Sequence, residues 1–212
     1  MYAIAIHDRD QNCLILSRDP FGIKPLYYVE TEALFAFASE PQALIKAGIC
    51  SATDNAEAMH ELLQLQFTCG RETPFAGSYR VLPGETLVIR AGKVIKRSYL
   101  TNLTPSSPDK YTVADAMVEL ERLFMESVNL HQRADVPYGM FLSGGIVSSA
   151  LLVMMERLNS QPVYAFTVGF DGAETCDERE QARVVAKATG ADHIEVPFNE
   201  NDFWDLIPAA AQ

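Results

Sequence analysis

The second half of the chain alternates short apolar runs with amphipathic stretches, and this narrows the fold more than any other feature. A long amphipathic helix is expected over Val113–Leu130, its stripe formed by Met117, Leu120, Leu123 and Phe124. Strand Tyr138–Leu142, helix Ser148–Leu158, strand Val163–Val168, helix Glu178–Thr189, strand His193–Pro197 and helix Asn201–Ala210 follow in turn. Strands separated by helices at this spacing run parallel with right-handed crossovers, in an open α/β sheet. Ligands of such sheets bind beyond the carboxyl ends of the strands, which singles out the segment around Ser143–Ser149.

That segment, Phe141-Leu142-Ser143-Gly144-Gly145-Ile146-Val147-Ser148-Ser149, leaves a strand, turns on two glycines and enters a helix. Gly144 and Gly145 let the backbone take conformations closed to other residues and approach a ligand closely. Successive N–H groups at the helix start point outward, and the helix dipole favours negative charge there. The hydroxyls of Ser143, Ser148 and Ser149 add donors. The spacing is not that of the GxxxxGK[ST] P-loop, and no lysine follows. A serine-capped Gly-Gly turn that merely joins strand to helix is the competing structural reading.

The first hundred residues read differently. Strands are expected at Tyr2–His7, Cys13–Ser17, Leu26–Glu30 and Leu34–Ala38, separated by polar or Pro/Gly turns. Tyr2–His7 is apolar on both faces, which suits a strand buried between layers. Gly22 and Pro25 bracket a connection too long for a tight hairpin. Short helices are expected at Glu40–Ala47, ended by Gly48, and at Asn55–Gln66, with a stripe of Met59, Leu62, Leu63 and Leu65. Glu85–Arg90 and Lys93–Tyr99 form a β-hairpin about Ala91-Gly92. Thr101–Lys110, polar throughout and holding two prolines, is the expected linker.

Composition excludes several function classes. A net charge of −11 without a Lys/Arg run speaks against a nucleic-acid partner. Cys13, Cys50, Cys69 and Cys176 are scattered, form no C-x-x-C pair and do not cluster with histidines, so neither zinc nor a disulfide framework is expected. Apolar runs fall short of a membrane span, and a soluble protein in a reducing, cytoplasmic compartment is expected. Cys13, interior to a strand, reads as core packing.

Several segments together resemble the glutamine-dependent asparagine synthetase family. The Ser143–Ser149 loop resembles the Ser-Gly-Gly-x-Asp-Ser loop of the PP-loop ATP pyrophosphatases. Asp135-Val136-Pro137-Tyr138-Gly139 resembles the D-V-P-x-G approach to it, and Ala165-Phe166-Thr167-Val168-Gly169-Phe170 the strand whose end touches adenine. Asp177-Glu178, Ala182, Val185, Ala186, Gly190 and His193 are similar to the helix and strand that come next. Upstream, Met1–Asp8, Arg18–Tyr27, Ala38-Ser39-Glu40, Pro74-Phe75 and Leu82-Pro83-Gly84 resemble segments of the family's glutaminase domain and its exit.

The resemblance implies a mixed α/β chain in two parts. Residues 1–100 would be the C-terminal part of an Ntn-type αββα glutamine amidotransferase sandwich and 101–112 a linker. Residues 113–212 would be the N-terminal part of an open parallel PP-loop (adenine nucleotide alpha hydrolase-like) domain. It implies ATP at Leu142, Ser143, Gly144, Gly145, Ser148, Ser149 and Val168, with aspartate and glutamine as the family's other substrates. The family's reaction is ATP-dependent amidation of aspartate through an aspartyl-adenylate, releasing AMP and pyrophosphate.

The chain also departs from the pattern. Val147 stands where the loop motif has its magnesium-binding Asp, and valine offers a hard cation no oxygen. The family's N-terminal Cys nucleophile does not head these residues, nor does its later S-G-E-G-x-D-E loop occur in them. These 212 residues alone are therefore expected to be inactive. A non-catalytic nucleotide-binding module, a split-gene fragment without function, and a β-lactam synthetase-like amidotransferase are the alternatives. A complementing polypeptide or a homo-oligomer is the macromolecular partner left open. Arg18 and Lys24 read as structural turn residues, His193 as a satisfied histidine, and Asp177 and Glu178 as first-turn helix residues with a secondary magnesium role.

Overall fold

The computed structural model describes residues 1–100, 112–170 and 177–210; the expected linker and Cys176 lie outside the described residues. Two compact units divide the chain, Met1–Ser106 and Ser107–Gln212. Among the described residues no helix is long and apolar enough to cross a membrane.

The first unit runs β1 (Ala3–Asp8), β2 (Cys13–Arg18), β3 (Tyr27–Glu30), β4 (Phe35–Ala38), α1 (Pro41–Lys46), α2 (Ala56–Leu65), β5 (Tyr79–Arg80), β6 (Glu85–Arg90) and β7 (Lys93–Tyr99). Two antiparallel sheets form, β1-β2-β6-β7 and β4-β3-β5. They share one core: Leu16, Leu87 and Ile89 from the first meet Tyr28 from the second, with Leu26 and Val81 between strands. Cys13 is buried, as a core residue would be. The short β5, pairing with Tyr27 and Tyr28, was not expected from the sequence, because two residues carry no period.

The connection from β2 to β3 is long because it carries the chain from one sheet to the other. Arg18 and Asp19 hold it. The Arg18 guanidinium donates to the carbonyls of Lys24, Val81 and Gly22 at 2.7–2.8 Å. Both residues are structural ties, and the Lys24 carbonyl is one of the acceptors that fix Arg18. The β6–β7 hairpin closes on the pair Arg90 and Lys93. Ala91 at φ 48° and Gly92 at φ 74° are both left-handed, the signature of a two-residue turn whose twist matches its strands.

Three expectations of burial are corrected. Strand β1 is an edge strand exposed on both faces, with Ile6 52% exposed, rather than a strand between layers. Among the described residues it pairs with β2 alone and nothing covers it; apolarity records what a strand could bury, not what lies opposite. In α2 only Ala58 is buried; of the stripe, Met59 and Leu62 are half-buried while Leu63, 79% exposed, and Leu65 are uncovered. The stripe of α3 (Val113–His131) is likewise open at Met117, Leu120 and Leu123, and only Val128 near its C-terminal end is buried.

Helix α3 opens the described part of the second unit with a reciprocal capping box between Thr112 and Asp115. Then come β8 (Gly139–Phe141), α4 (Ile146–Leu158), β9 (Tyr164–Phe170), α5 (Arg179–Thr189), β10 (Asp192–Phe198) and α6 (Glu200–Ala210). The strands pair in parallel in the order β10-β9-β8, the arrangement the alternation requires. Leu142, Leu152, Met155, Val163, Ala165, Ala182, Ala186 and Val128 form the core beneath α3, α4 and α5. Side chains on the other sheet face, such as Phe141 and Val168, are exposed.

Candidate functional site

The seven candidate residues gather where β8 and β9 end. Leu142 is fully buried, and its amide donates to the Phe166 carbonyl at 2.8 Å, extending the ladder one residue beyond β8. The chain then turns on Gly144, at φ +75°. A Cβ there would lie 2.8 Å from the Gln181 Cβ and 2.9 Å from the Ala182 amide, so the loop presses directly on α5. Helix α4 starts at Ile146, two residues before the expected Ser148, because Gly145 already holds an extended N-cap conformation and its carbonyl accepts the Ser149 amide at 3.0 Å.

This start has a chemical consequence. The first amides of a helix have no intrahelical acceptor. Gly145 has no side chain to cap them, and no side chain caps them from elsewhere among the described residues. The amides of Ile146, Val147 and Ser148 therefore have no intrahelical acceptor and no side-chain cap among the described residues, at the positive end of the helix dipole.

Proton bookkeeping shows what the serines contribute. Ser148 Oγ donates its one proton to the Gly145 carbonyl at 3.1 Å. The 3.0 Å contact between Ser143 and Ser148 must then use the Ser143 proton, while Ser143 Oγ accepts the Gly145 amide at 3.3 Å. Both hydroxyl protons thus stay within the loop and brace it. Ser149 Oγ is shielded from solvent and has no hydrogen-bond partner among the described residues. Val168, two residues before the end of β9, presents a half-open apolar surface, 41% exposed.

Val147 sits in the first turn of α4, 75% exposed, and brings no oxygen to the loop. Among the described residues no group of three or more His, Cys, Asp or Glu is arranged to hold a metal. The loop's own donor set does not fit magnesium.

On its α5 side the loop borders a concavity of about 690 Å³ lined by Gly144, Gln181, Val184 and the acidic Asp177, Glu178 and Glu180. These carboxylates repel an anion from that side, leaving the α4 end as the anion-favouring face. Asp177 is already engaged by Arg179 at 2.7 Å, and the Arg179 guanidinium holds its carboxyl below the usual carboxylate range. Asp177 also accepts the Arg179 amide at 3.1 Å, so it caps the start of α5.

His193 is satisfied, but not as an isolated core histidine. Its Nε2 meets Thr167 Oγ1 at 2.8 Å, and Thr167 donates to the Leu142 carbonyl at 2.7 Å. Sequence reading passed over Thr167. The signal was available: a hydroxyl on the helix-covered face of an otherwise apolar strand needs a buried partner.

Comparison with known proteins bears on both units. Residues 1–100 match a family model described as glutamine amidotransferase domain, and residues 119–212 one described as asparagine synthase. The chain is similar to asparagine synthetase [glutamine-hydrolyzing] 1 of Bacillus subtilis, 32% identical over 98% of this chain and 32% of that protein. It is 28% identical to putative asparagine synthetase [glutamine-hydrolyzing] 2 of Methanocaldococcus jannaschii, over 98% of this chain and 40% of that protein. Amidase chyE of Penicillium rubens is 30% identical over 94% of this chain and 31% of that protein. The chain spans about a third of the length of most of these relatives.

Proposed function

We propose, for a chain related along nearly its whole length to the glutamine-hydrolysing asparagine synthetases, that the Leu142–Ser149 loop with Val168 binds the phosphates and adenine of ATP. The observation that carries this reading is the uncapped start of α4. Its first amides follow the left-handed turn at Gly144, at the carboxyl end of a parallel strand. In the same reading residues 1–100 are part of an Ntn-type glutaminase sandwich, 101–112 a linker, and 113–212 part of a PP-loop domain. The whole protein's activity would be amidation of aspartate in the cytoplasm: its carboxylate displaces pyrophosphate from ATP, and ammonia from glutamine then displaces AMP.

Val147 supports a narrower second reading, a site that holds nucleotide without turning it over. Cleavage between the α and β phosphates develops negative charge on the leaving pyrophosphate that a cation held by a carboxylate would help neutralise, and Val147 offers no carboxylate to hold one. A polypeptide of these 212 residues is accordingly proposed to bind ATP and to lack synthetase activity. Calorimetric titration with ATP, with and without magnesium, tests this. Binding that is indifferent to magnesium, and that becomes magnesium-dependent in Val147→Asp, is expected. Absence of heat in every condition would sink the nucleotide reading. Aspartate-dependent pyrophosphate release above a Ser143→Ala control would sink the claim of inactivity.

A further inference from the structure

We infer that Thr167 and His193 are positioning residues for the Leu142–Ser149 loop, holding its first carbonyl through a hydrogen-bonded chain that starts on β10. The inference rests on the nucleotide reading for its consequence, but not for its geometry.

The chain of contacts can be followed atom by atom. The Leu142 carbonyl is the last group before the Ser143-Gly144-Gly145 turn, and it can only accept. Thr167 Oγ1, 2.7 Å away, therefore donates its one proton there. With that proton committed, the 2.8 Å contact to His193 must be an Nε2–H donated to the threonine oxygen. This assigns the Nε2–H tautomer, and Nε2 keeps its proton whether or not Nδ1 is protonated. On the other side of the ring, Nδ1 stands 3.8 Å from Glu195 Oε1, and Glu195 is paired with Arg183 of α5, the second contact being 2.7 Å.

Thr167 is buried at 2% exposure, so the tether is shielded from competing water. It joins all three strands: β10 through His193, β9 through Thr167, and the end of β8 through Leu142. The amide of Leu142 is already held by Phe166, so both polar groups of this peptide neighbourhood are fixed before the glycines begin. Gly144 and Gly145 cannot fix the loop by themselves, because their conformational freedom is the largest of any residue. The loop is then aimed from two sides, by this tether at its start and by the contact of Gly144 with Gln181 and Ala182.

The test uses the whole chain and two readouts. Thr167→Val removes the hydroxyl at nearly constant shape, and His193→Leu removes the donor. Thr167→Ser and His193→Gln retain the corresponding groups. In the ligand-free protein, the Gly144 and Gly145 amide resonances are expected to move in the first pair and stay near wild type in the second. The wild-type imidazole ¹⁵N shifts are expected to report a protonated Nε2. ATP affinity is expected to fall about ten-fold in the first pair, well below each variant's melting temperature, and to recover in the second. Unmoved glycine amides in both Thr167→Val and His193→Leu, or an unprotonated Nε2, would overturn the tether. Should wild type bind no ATP, the nucleotide reading fails while the amide shifts still decide the positioning role. If Thr167→Val does not fold, His193→Leu carries the same decision.

Discussion

Arg71 and Glu85 form a two-point ion pair, Nη1 to Oε2 and Nη2 to Oε1 at 2.7 Å each, around a carboxylate with no exposed surface. The remaining lone pairs of Glu85 are also taken. Tyr99 donates its hydroxyl at 3.0 Å, Arg97 donates at 3.2 Å and the Leu82 amide at 2.9 Å. Burial alone would push the Glu85 carboxyl up, but the Arg71 hydrogen bonds and the Leu82 amide outweigh it and hold it below the usual range. Arg71 also reaches the Arg80 carbonyl, so the pair ties the segment before β5 to β6 and β7.

Removing one member of a buried, fully bonded pair leaves its partner's charge uncompensated. Glu85→Ala is expected to cost about 3–5 kcal/mol of first-unit stability, read as a shift in the urea midpoint followed by tyrosine fluorescence. A loss below about 1 kcal/mol would place the pair with ordinary surface bridges.

Asp19 makes stability depend on acid. Its carboxylate accepts the amides of Phe21, Ile23 and Lys24 at 3.1 Å and of Tyr2 at 3.3 Å. Burial would raise its pKa, and these four amides more than reverse the effect, holding it at about 2 against an ordinary 3.8. Between those values the unfolded chain binds a proton that the folded chain does not, so stability rises with pH across the window. The contribution is complete above the ordinary value and is lost as the pH falls through about 2. Asp19→Asn is expected to flatten this part of a stability-versus-pH series and to leave its shape near neutrality unchanged. An unchanged slope below pH 4 would refute the assignment.

The two loop glycines are not equivalent. Gly144→Ala places a Cβ in the left-handed region and against α5, and a loss of about 2 kcal/mol or more is expected together with loss of nucleotide binding. Gly145 has an ordinary φ of −69°, and its added Cβ would meet only Ser143 Oγ at 3.4 Å. Gly145→Ala, at an N-cap position where alanine is the poorer residue, should cost no more than about 1 kcal/mol. Thermal melts of both variants check the contrast, and equal destabilisation would remove the special role of Gly144.

Much of this molecule follows from residues near one another in the chain. The β8–α4–β9–α5–β10 alternation, the glycine turn, the Ala91-Gly92 hairpin, the Asn55 cap of α2 and the end of α1 at Gly48 are all set by local geometry and periodicity, which a single sequence displays. Other features were decided only when distant segments met. Whether the apolar stripes of α2 and α3 and both faces of β1 are covered depends on what lies opposite, which the side chains themselves do not encode. The Arg71–Glu85 pair closes over 14 residues, and the Thr167–Leu142 contact over 25. A hydroxyl or carboxylate in the sequence states a need for a partner, and only the folded chain names which one answers it. The sequence alone placed a Gly-Gly turn after β8; the tertiary structure supplied the threonine and histidine bonded at its start, because buried hydrogen bonds select their partners by position in space.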